Sequence, residues 1–240
     1  MKQYEHLFFD LDGTLWDLWE NSRAALTTMF TAYPALTDRT DQFENFFSHY
    51  HRHNHHLWML LRQNKVKKDE LRVRRFRLAF ADTHIDCEPW VEKFADDFMQ
   101  LCPRQGKLVP GAKALLEQLN GKYPMHIVSN GFPEVQSIKM ETSGIAQYFS
   151  EVILSEHIGV SKPHPDIFQY ALDAARTQRN TSLMIGDDWE ADIVGAREAG
   201  MDQAFLTLTE TRMNPDFDRH ITSPPTYLLH RIKDLLEHVS

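Results

Sequence analysis

Apolar residues fall along this chain in two rhythms. Short unbroken runs occur at "LFF" (7–9), "MHIVSN" (125–130), "EVILS" (151–155), "SLMIGDD" (182–188) and "QAFLTL" (203–208). Runs of this length, with no polar alternation, predict strands covered on both faces, as in a parallel sheet. Between them, "GAKALLEQLN", "PEVQSIKMETSG", "HPDIFQYALDAAR" and "WEADIVGAREAG" carry apolar residues three and four apart and predict helices. Pro133 opens one of these helices, and Gly144 and Gly200 stand where helices stop. The tail "YLLHRIKDLLEHV" has the same period and predicts a closing amphipathic helix.

Strands alternating with helices predict an α/β fold with a doubly wound parallel sheet. With strand order 3-2-1-4-5, the switch point lies between strands 1 and 4, and a ligand crevice opens at their carboxyl ends. Residues 17–105 break the alternation. "ENSRAALTTMFTAY", "DQFENFFSHYHRHNHHLWMLLRQ", "KDELRVRRFRLAFADT" and "EPWVEKFADDFMQLC" all read as helices. The predicted organisation is therefore an α/β core of residues 1–16 and 106–240 with an inserted α-helical cap of residues 17–105. An insert that leaves from the carboxyl edge of strand 1 is expected to hang over the crevice as a lid.

Composition changes this picture little. The 240 residues are 42% hydrophobic and 25% charged, enough for an ordinary core. A formal net charge of −8 argues against sequence-independent binding to a nucleic-acid polymer. There is no apolar run of membrane-spanning length and no signal-peptide pattern at "MKQYEHLFFD", so a cytoplasmic protein with no membrane partner is expected. Two cysteines, Cys87 and Cys102, do not suggest a stapled secreted fold.

The candidate chemistry sits at the strand ends. Asp10 and Asp12 follow strand 1, and Asp187 and Asp188 follow strand 4. Each acid alone reads more readily as a turn residue than as a ligand. Two pairs on neighbouring strands put several carboxylates in one crevice, where they need a cation, and all-oxygen ligation suits Mg²⁺. Strand 2 ends in Ser129-Asn130-Gly131, either an anion cradle before a helix or a plain capping turn. "SKPHPDIF" supplies Lys162, a surface lysine by default but a neutralising charge if it lies beside the acids.

"FFDLDGTLWD", "IVSNG", "SKPHPDIF" and "IGDDWEADIVGAREAG", in this order, resemble the four motifs of the haloacid dehalogenase (HAD) superfamily, and residues 17–105 look like its cap. "ELRVRRF" and "SNGF" are similar to the pyrimidine 5′-nucleotidase branch. The resemblance implies a Rossmann-like core and a Mg²⁺-dependent phosphomonoester hydrolase. Asp10 is then the nucleophile that forms an aspartyl-phosphate, and Asp12 the general acid and base. Ser129, Asn130 and Lys162 hold phosphoryl oxygens. Asp10, Asp187 and the Asp12 backbone carbonyl hold the metal. Asp188 is a further metal candidate, and Asp192 orients Lys162 or a metal-bound water.

The second aspartate favours phosphate over halide chemistry, because a departing alkoxide needs a proton and a halide does not. The implied substrate is a small phosphorylated metabolite, a nucleoside 5′-monophosphate first, handled by a monomer or weak homodimer. Alternatives are a sugar-phosphate or phosphoglycolate phosphatase, a phosphomutase, or a non-catalytic phosphate-binding regulator.

Two stretches of the cap also attract attention. In "HYHRHNHH", His49/His53 and His51/His55 have the spacing of a zinc pair, but a polar helix face is the expectation, since zinc needs a third ligand and supporting hydrogen bonds. In "RVRRFR" the arginines are expected on a solvated face with Val73 and Phe76 inward; the one chosen for substrate contact is Arg75. Trp16, Trp58 and Phe132 could stack on a base, although aromatic residues in helices are more often core.

Overall fold

A computed structural model describes residues 3–208 and 223–239. The chain forms two compact units, one of Met1–Leu18 with Gly106–Ser240 and one of Trp19–Gln105. Among the described residues no helix is long and apolar enough to cross a membrane.

In chain order the elements begin with strand β1 (His6–Phe9) and helices α1 (Leu18–Ala32), α2 (Phe43–Arg62), α3 (Lys68–Asp82) and α4 (Val91–Leu101). There follow α5 (Ala112–Leu119), β2 (Met125–Ser129), α6 (Pro133–Thr142), β3 (Phe149–Leu154), the short α7 (Ser155–Ile158) and α8 (Pro165–Ala175). The chain then forms β4 (Ser182–Gly186), a π-helical stretch Trp189–Val194, the short α9 (Gly195–Glu198), β5 (Asp202–Leu206) and β6 (Tyr227–Leu229).

The sheet has the order β3-β2-β1-β4-β5-β6, and each neighbouring pair is parallel. Central β1 pairs Leu7 with Met125 on one side and with Leu183 on the other. Every residue of β2 and β4 is buried, which is why these strands read as unbroken apolar runs. On one face Phe8, Val128, Ile153 and Met184 pack against Ile167, Phe168, Ala171 and Leu172 of α8. Pro165 starts α8 with its φ already helical, and His164 Nδ1 accepts from the Asp166 N–H to cap it.

The carboxyl end of the chain departs from the sequence reading. Tyr227–Leu229 adds a sixth strand on β5, with Ala204 opposite Tyr227, and Ile232–Glu237 is a 3₁₀ turn rather than part of one amphipathic helix. A three-residue apolar run fits either period, so pairing with β5 decides it.

The helical unit is built on aromatic contacts. Phe46 lies 4.3 Å from Phe80 and 4.8 Å from Phe30, ring centre to ring centre, and Phe80 meets Phe94 at 5.2 Å. The histidines of α2 divide by face. His51 is buried, stacked 4.0 Å from Trp19, with Ser22 Oγ 3.2 Å from its Nε2. His49 and His53 share Asp82 Oδ2, at 3.2 and 2.7 Å, together with Arg52 at 2.6 Å. The hydrogen bond from His53, with smaller help from the charges of His53, His49 and Arg52, lowers the Asp82 carboxyl below its ordinary range. Cys87 and Cys102 are free thiols.

Candidate active site

The candidate site lies at the carboxyl ends of β2, β1 and β4 within the α/β unit. Asp10 follows the last residue of β1, and its N–H donates to Ile185 O at 2.8 Å, continuing the ladder. The chain then turns sharply. Gly13 has φ +93°, open to glycine at little cost. A Cβ there would stand 2.2 Å from Asp187 Oδ2, so the bare glycine lets the β4 carboxylate close against the β1 turn. Thr14 Oγ1 donates to Asp187 Oδ1 at 2.7 Å and fixes it.

Lys162 is the centre of the charge arrangement. Its Nζ is buried and donates to Asp10 Oδ1 at 2.7 Å, Asp192 Oδ1 at 2.6 Å and Val128 O at 2.6 Å. All three ammonium protons therefore have an acceptor. Burial opposes the charge, but the two carboxylates outweigh it and hold the ammonium above its usual range. Burial pushes the Asp10 carboxyl up to about 7, against the pull of Lys162, with repulsion from Asp192 and Asp12 adding to the rise. Desolvation likewise raises Asp192, opposed by Lys162.

Asp192 comes from the π-helical stretch, a rare geometry that recurs at functional sites. Its other oxygen accepts from the Asp188 N–H at 3.1 Å, so both oxygens are engaged within the protein. Asp188 Oδ1 caps the stretch by accepting from Ala191 N at 2.8 Å.

The Asn130 side chain is engaged within the protein. Its Nδ2 donates to Lys162 O and its Oδ1 accepts from Lys162 N, each at 2.9 Å. The amide is a two-point clamp on the backbone of the buried lysine, not an open hydrogen-bonding arm for an anion. Ser129 Oγ accepts from Gly131 N at 3.0 Å and from Gln136 Nε2 at 2.7 Å, leaving its own O–H to donate. Asp12 has both oxygens bound by α6, Oδ1 by Lys139 Nζ at 2.6 Å and Oδ2 by Gln136 Nε2 at 2.9 Å.

Arg75 is elsewhere. It is buried inside the helical unit against Phe76 and Phe98, and its Nη1 donates to Asn54 Oδ1 at 3.0 Å. It is the exception to the expected solvated face. Its neighbours follow the expectation, with Arg72 paired to Asp96, Arg74 to Glu70 and Arg77 to Glu88. Trp16 is fully buried and serves as core.

Thr14, Gln136 and Lys139 were missed by sequence reasoning. Thr14 carried a faint signal as a hydroxyl inside the otherwise apolar "GTLW". Gln136 and Lys139 carried one as polar residues three apart on the helix directly after "SNG".

Oxygens of Asp10, Asp187 and Asp192 lie within 4.8 Å of one another, all three residues buried. Three carboxylates face one ammonium, a surplus of negative charge that a hard divalent cation would balance. An all-oxygen donor set fits Mg²⁺. Residues 4–200 match the family described as haloacid dehalogenase-like hydrolase. The chain belongs to that family.

As a HAD-like hydrolase it has curated relatives of similar length. Pyrimidine 5′-nucleotidase YjjG of Escherichia coli is 30% identical over 205 residues, 85% of this chain and 86% of YjjG. Pyrimidine 5′-nucleotidase PynA of Streptococcus pneumoniae is 29% identical over 237 residues, 98% of this chain and 94% of PynA. Among solved structures, the HAD-hydrolase YfnB of Bacillus subtilis, bound to magnesium, superposes with a TM-score of 0.81 at 25% identity, covering 99% of both chains. The HAD-like core expected from the four motifs is the fold observed, and the chain is an enzyme of this hydrolase family.

Proposed function

We propose that this HAD-like hydrolase is a Mg²⁺-dependent phosphomonoester hydrolase that works through an aspartyl-phosphate and acts on nucleoside 5′-monophosphates. The reading rests on one observation above all: Asp10, at the end of the central strand, is held 2.7 Å from Lys162 Nζ with the Asp187 and Asp192 carboxylates beside it. The names of YjjG and PynA support the nucleotide as substrate.

Asp10 is the nucleophile. A carboxylate needs no base to attack phosphorus, but it must approach a dianion of its own sign. When bound, Mg²⁺ held by Asp10, Asp187 and the Asp12 backbone carbonyl supplies the charge that relieves this repulsion. Lys162 neutralises Asp10, and its charge would also offset that of the phosphoryl oxygens. Asp192 orients Lys162, and Asn130 pins the backbone that carries it. The free O–H of Ser129 donates to a phosphoryl oxygen. Asp12 protonates the leaving alkoxide and then takes a proton from the water that hydrolyses the intermediate.

Asp10→Asn tests the nucleophile. Turnover is expected to fall by at least about 10³-fold with an unchanged circular dichroism spectrum. Near-normal turnover in this variant would refute the assignment. EDTA is expected to abolish phosphate release and added Mg²⁺ to restore it. In a screen of phosphorylated metabolites, nucleoside monophosphates are expected to give the highest kcat/KM. A preference for sugar phosphates or phosphoglycolate would overturn the substrate, and no phosphate release from any ester would favour a binding protein.

A further inference from the structure

Helix α6 sends two buried polar side chains onto Asp12. Gln136 and Lys139 are one helical turn apart and lie on the same face. Lys139 Nζ donates to Asp12 Oδ1 at 2.6 Å and sits 4.7 Å from the centre of the Trp16 ring, which closes its other side. Gln136 Nε2 donates both its protons, to Asp12 Oδ2 at 2.9 Å and to Ser129 Oγ at 2.7 Å. The opposite amide orientation would aim an oxygen at the carboxylate, so the network fixes this one.

Two features show that this arrangement is built at some cost. Gln136 is fully buried, yet its Oε1 has no hydrogen-bond partner among the described residues. Such groups are rare in folded proteins and are tolerated where another demand prevails. Gly131 is the second. A Cβ at this position would stand 1.9 Å from Gln136 Nε2 and 3.0 Å from Asp12 Oδ2. The glycine of "SNG" thus clears the space in which the amide reaches Asp12.

We propose that Gln136 and Lys139 are positioning residues that lock the Asp12 carboxyl in the orientation needed for proton transfer. The inference rests on the phosphohydrolase reading above. In the first half-reaction an Asp10 oxygen bonds to phosphorus while the bond from phosphorus to the ester oxygen breaks. Its electron pair stays on the leaving oxygen, which takes the proton of Asp12. In the second, a water oxygen bonds to phosphorus, the bond to Asp10 breaks, and the water proton returns to Asp12. Proton transfer needs heavy atoms within about 3 Å, and a carboxyl free to rotate meets that condition only part of the time. Donors on both oxygens remove the rotation, and the second lone pair of each oxygen remains for the substrate.

The test follows release of the alcohol or phenol, and so the first half-reaction alone, in single turnover with enzyme in excess and Mg²⁺ present. One substrate is p-nitrophenyl phosphate, whose leaving phenolate needs little protonation. The other is an alkyl phosphate that the wild-type enzyme turns over. Lys139→Met and Gln136→Met are expected to slow the alkyl ester about 10²-fold and the aryl ester less than about threefold, with KM little changed. Lys139→Arg is expected to recover most of the alkyl rate.

Gly131→Ala, which displaces the amide without removing a charge, is expected to reproduce the ester-selective loss and stands in if the other variants fail to fold. Equal losses on both esters, or none, overturn the proposal. Asp12→Asn separates the two readings. If it shows no difference between the esters, the general-acid reading fails. If it is selective while the α6 and Gly131 variants are not, only the positioning role fails.

Discussion

Two deeply buried cations, one in each unit of this protein, are stabilised by different means. Lys162, in the α/β unit, is 1% exposed and touches two carboxylates and a carbonyl. Arg75, in the helical unit, is 5% exposed and has no carboxylate partner among the described residues. Its donors reach Asn54 Oδ1, Arg72 O and the Met99 sulfur, and its guanidinium stands 5.0 Å from Phe76 and 5.1 Å from Phe98, measured to the ring centres. A compact, strongly hydrated ammonium needs full charges around it when water is removed. A flat, weakly hydrated guanidinium can be held by ring faces and neutral acceptors. The first arrangement sets like charges close together around one ammonium. The second packs a core.

Breaking the charged arrangement is expected to have the largest effect. Lys162→Met leaves Asp10 and Asp192 buried without their counter-charge. In urea titrations with EDTA present, unfolding free energy is expected to fall by about 3–5 kcal/mol, and turnover to be lost. A loss below about 1 kcal/mol would mean that water already screens these acids.

His126 shows a third solution, in which a buried group gives up its charge. Its ring stacks 4.8 Å from Phe8 and its Nε2 meets His6 Nδ1 at 2.9 Å. Burial, with a smaller contribution from His6, lowers its pKa to about 4. Between pH 6.5 and 4 the unfolded chain then binds a proton that the native protein does not. This contribution is complete above pH 6.5 and is lost as pH falls towards 4, by up to about 3 kcal/mol. His126→Gln is expected to flatten that part of the stability profile relative to wild type; an unchanged slope would show that other groups carry it.

The smallest effect is expected from Arg75→Leu. It strands no buried carboxylate, only Asn54 Oδ1, so the loss should be about 1–2 kcal/mol by the same titration. A loss as large as that of Lys162→Met would erase the contrast between the units. A raised KM with little loss of stability would instead restore Arg75 as a substrate contact.

Much of the fold could be read from residue order. Strands β1, β2 and β4 were legible because parallel strands covered on both faces are mostly apolar, whereas edge strand β3, with Ser150 and Glu151 exposed, was legible only through its run Val152–Leu154. Pro133, Pro165 and Gly200 marked helix boundaries through their own backbone preferences. Strand β6 was not legible, since Tyr227–Leu229 has no strand character beyond its pairing with Ala204–Leu206. Arg75 looked like Arg72, Arg74 and Arg77 in sequence, and only packing separates it from them. Lys139 and Gln136 meet Asp12 across 127 and 124 residues, a distance no local pattern spans.

By itself, then, the sequence determined which segments become strands and helices, and which residues carry acid, base or hydroxyl groups at the strand ends. Those properties depend on backbone periodicity and on side-chain chemistry, both of which are local. Tertiary structure alone decided that Asn130 clamps Lys162, that Asp192 spends both oxygens inside the protein, and that α6 grips Asp12. Hydrogen bonds of about 3 Å between residues far apart in the chain exist only once the sheet has set its neighbours side by side.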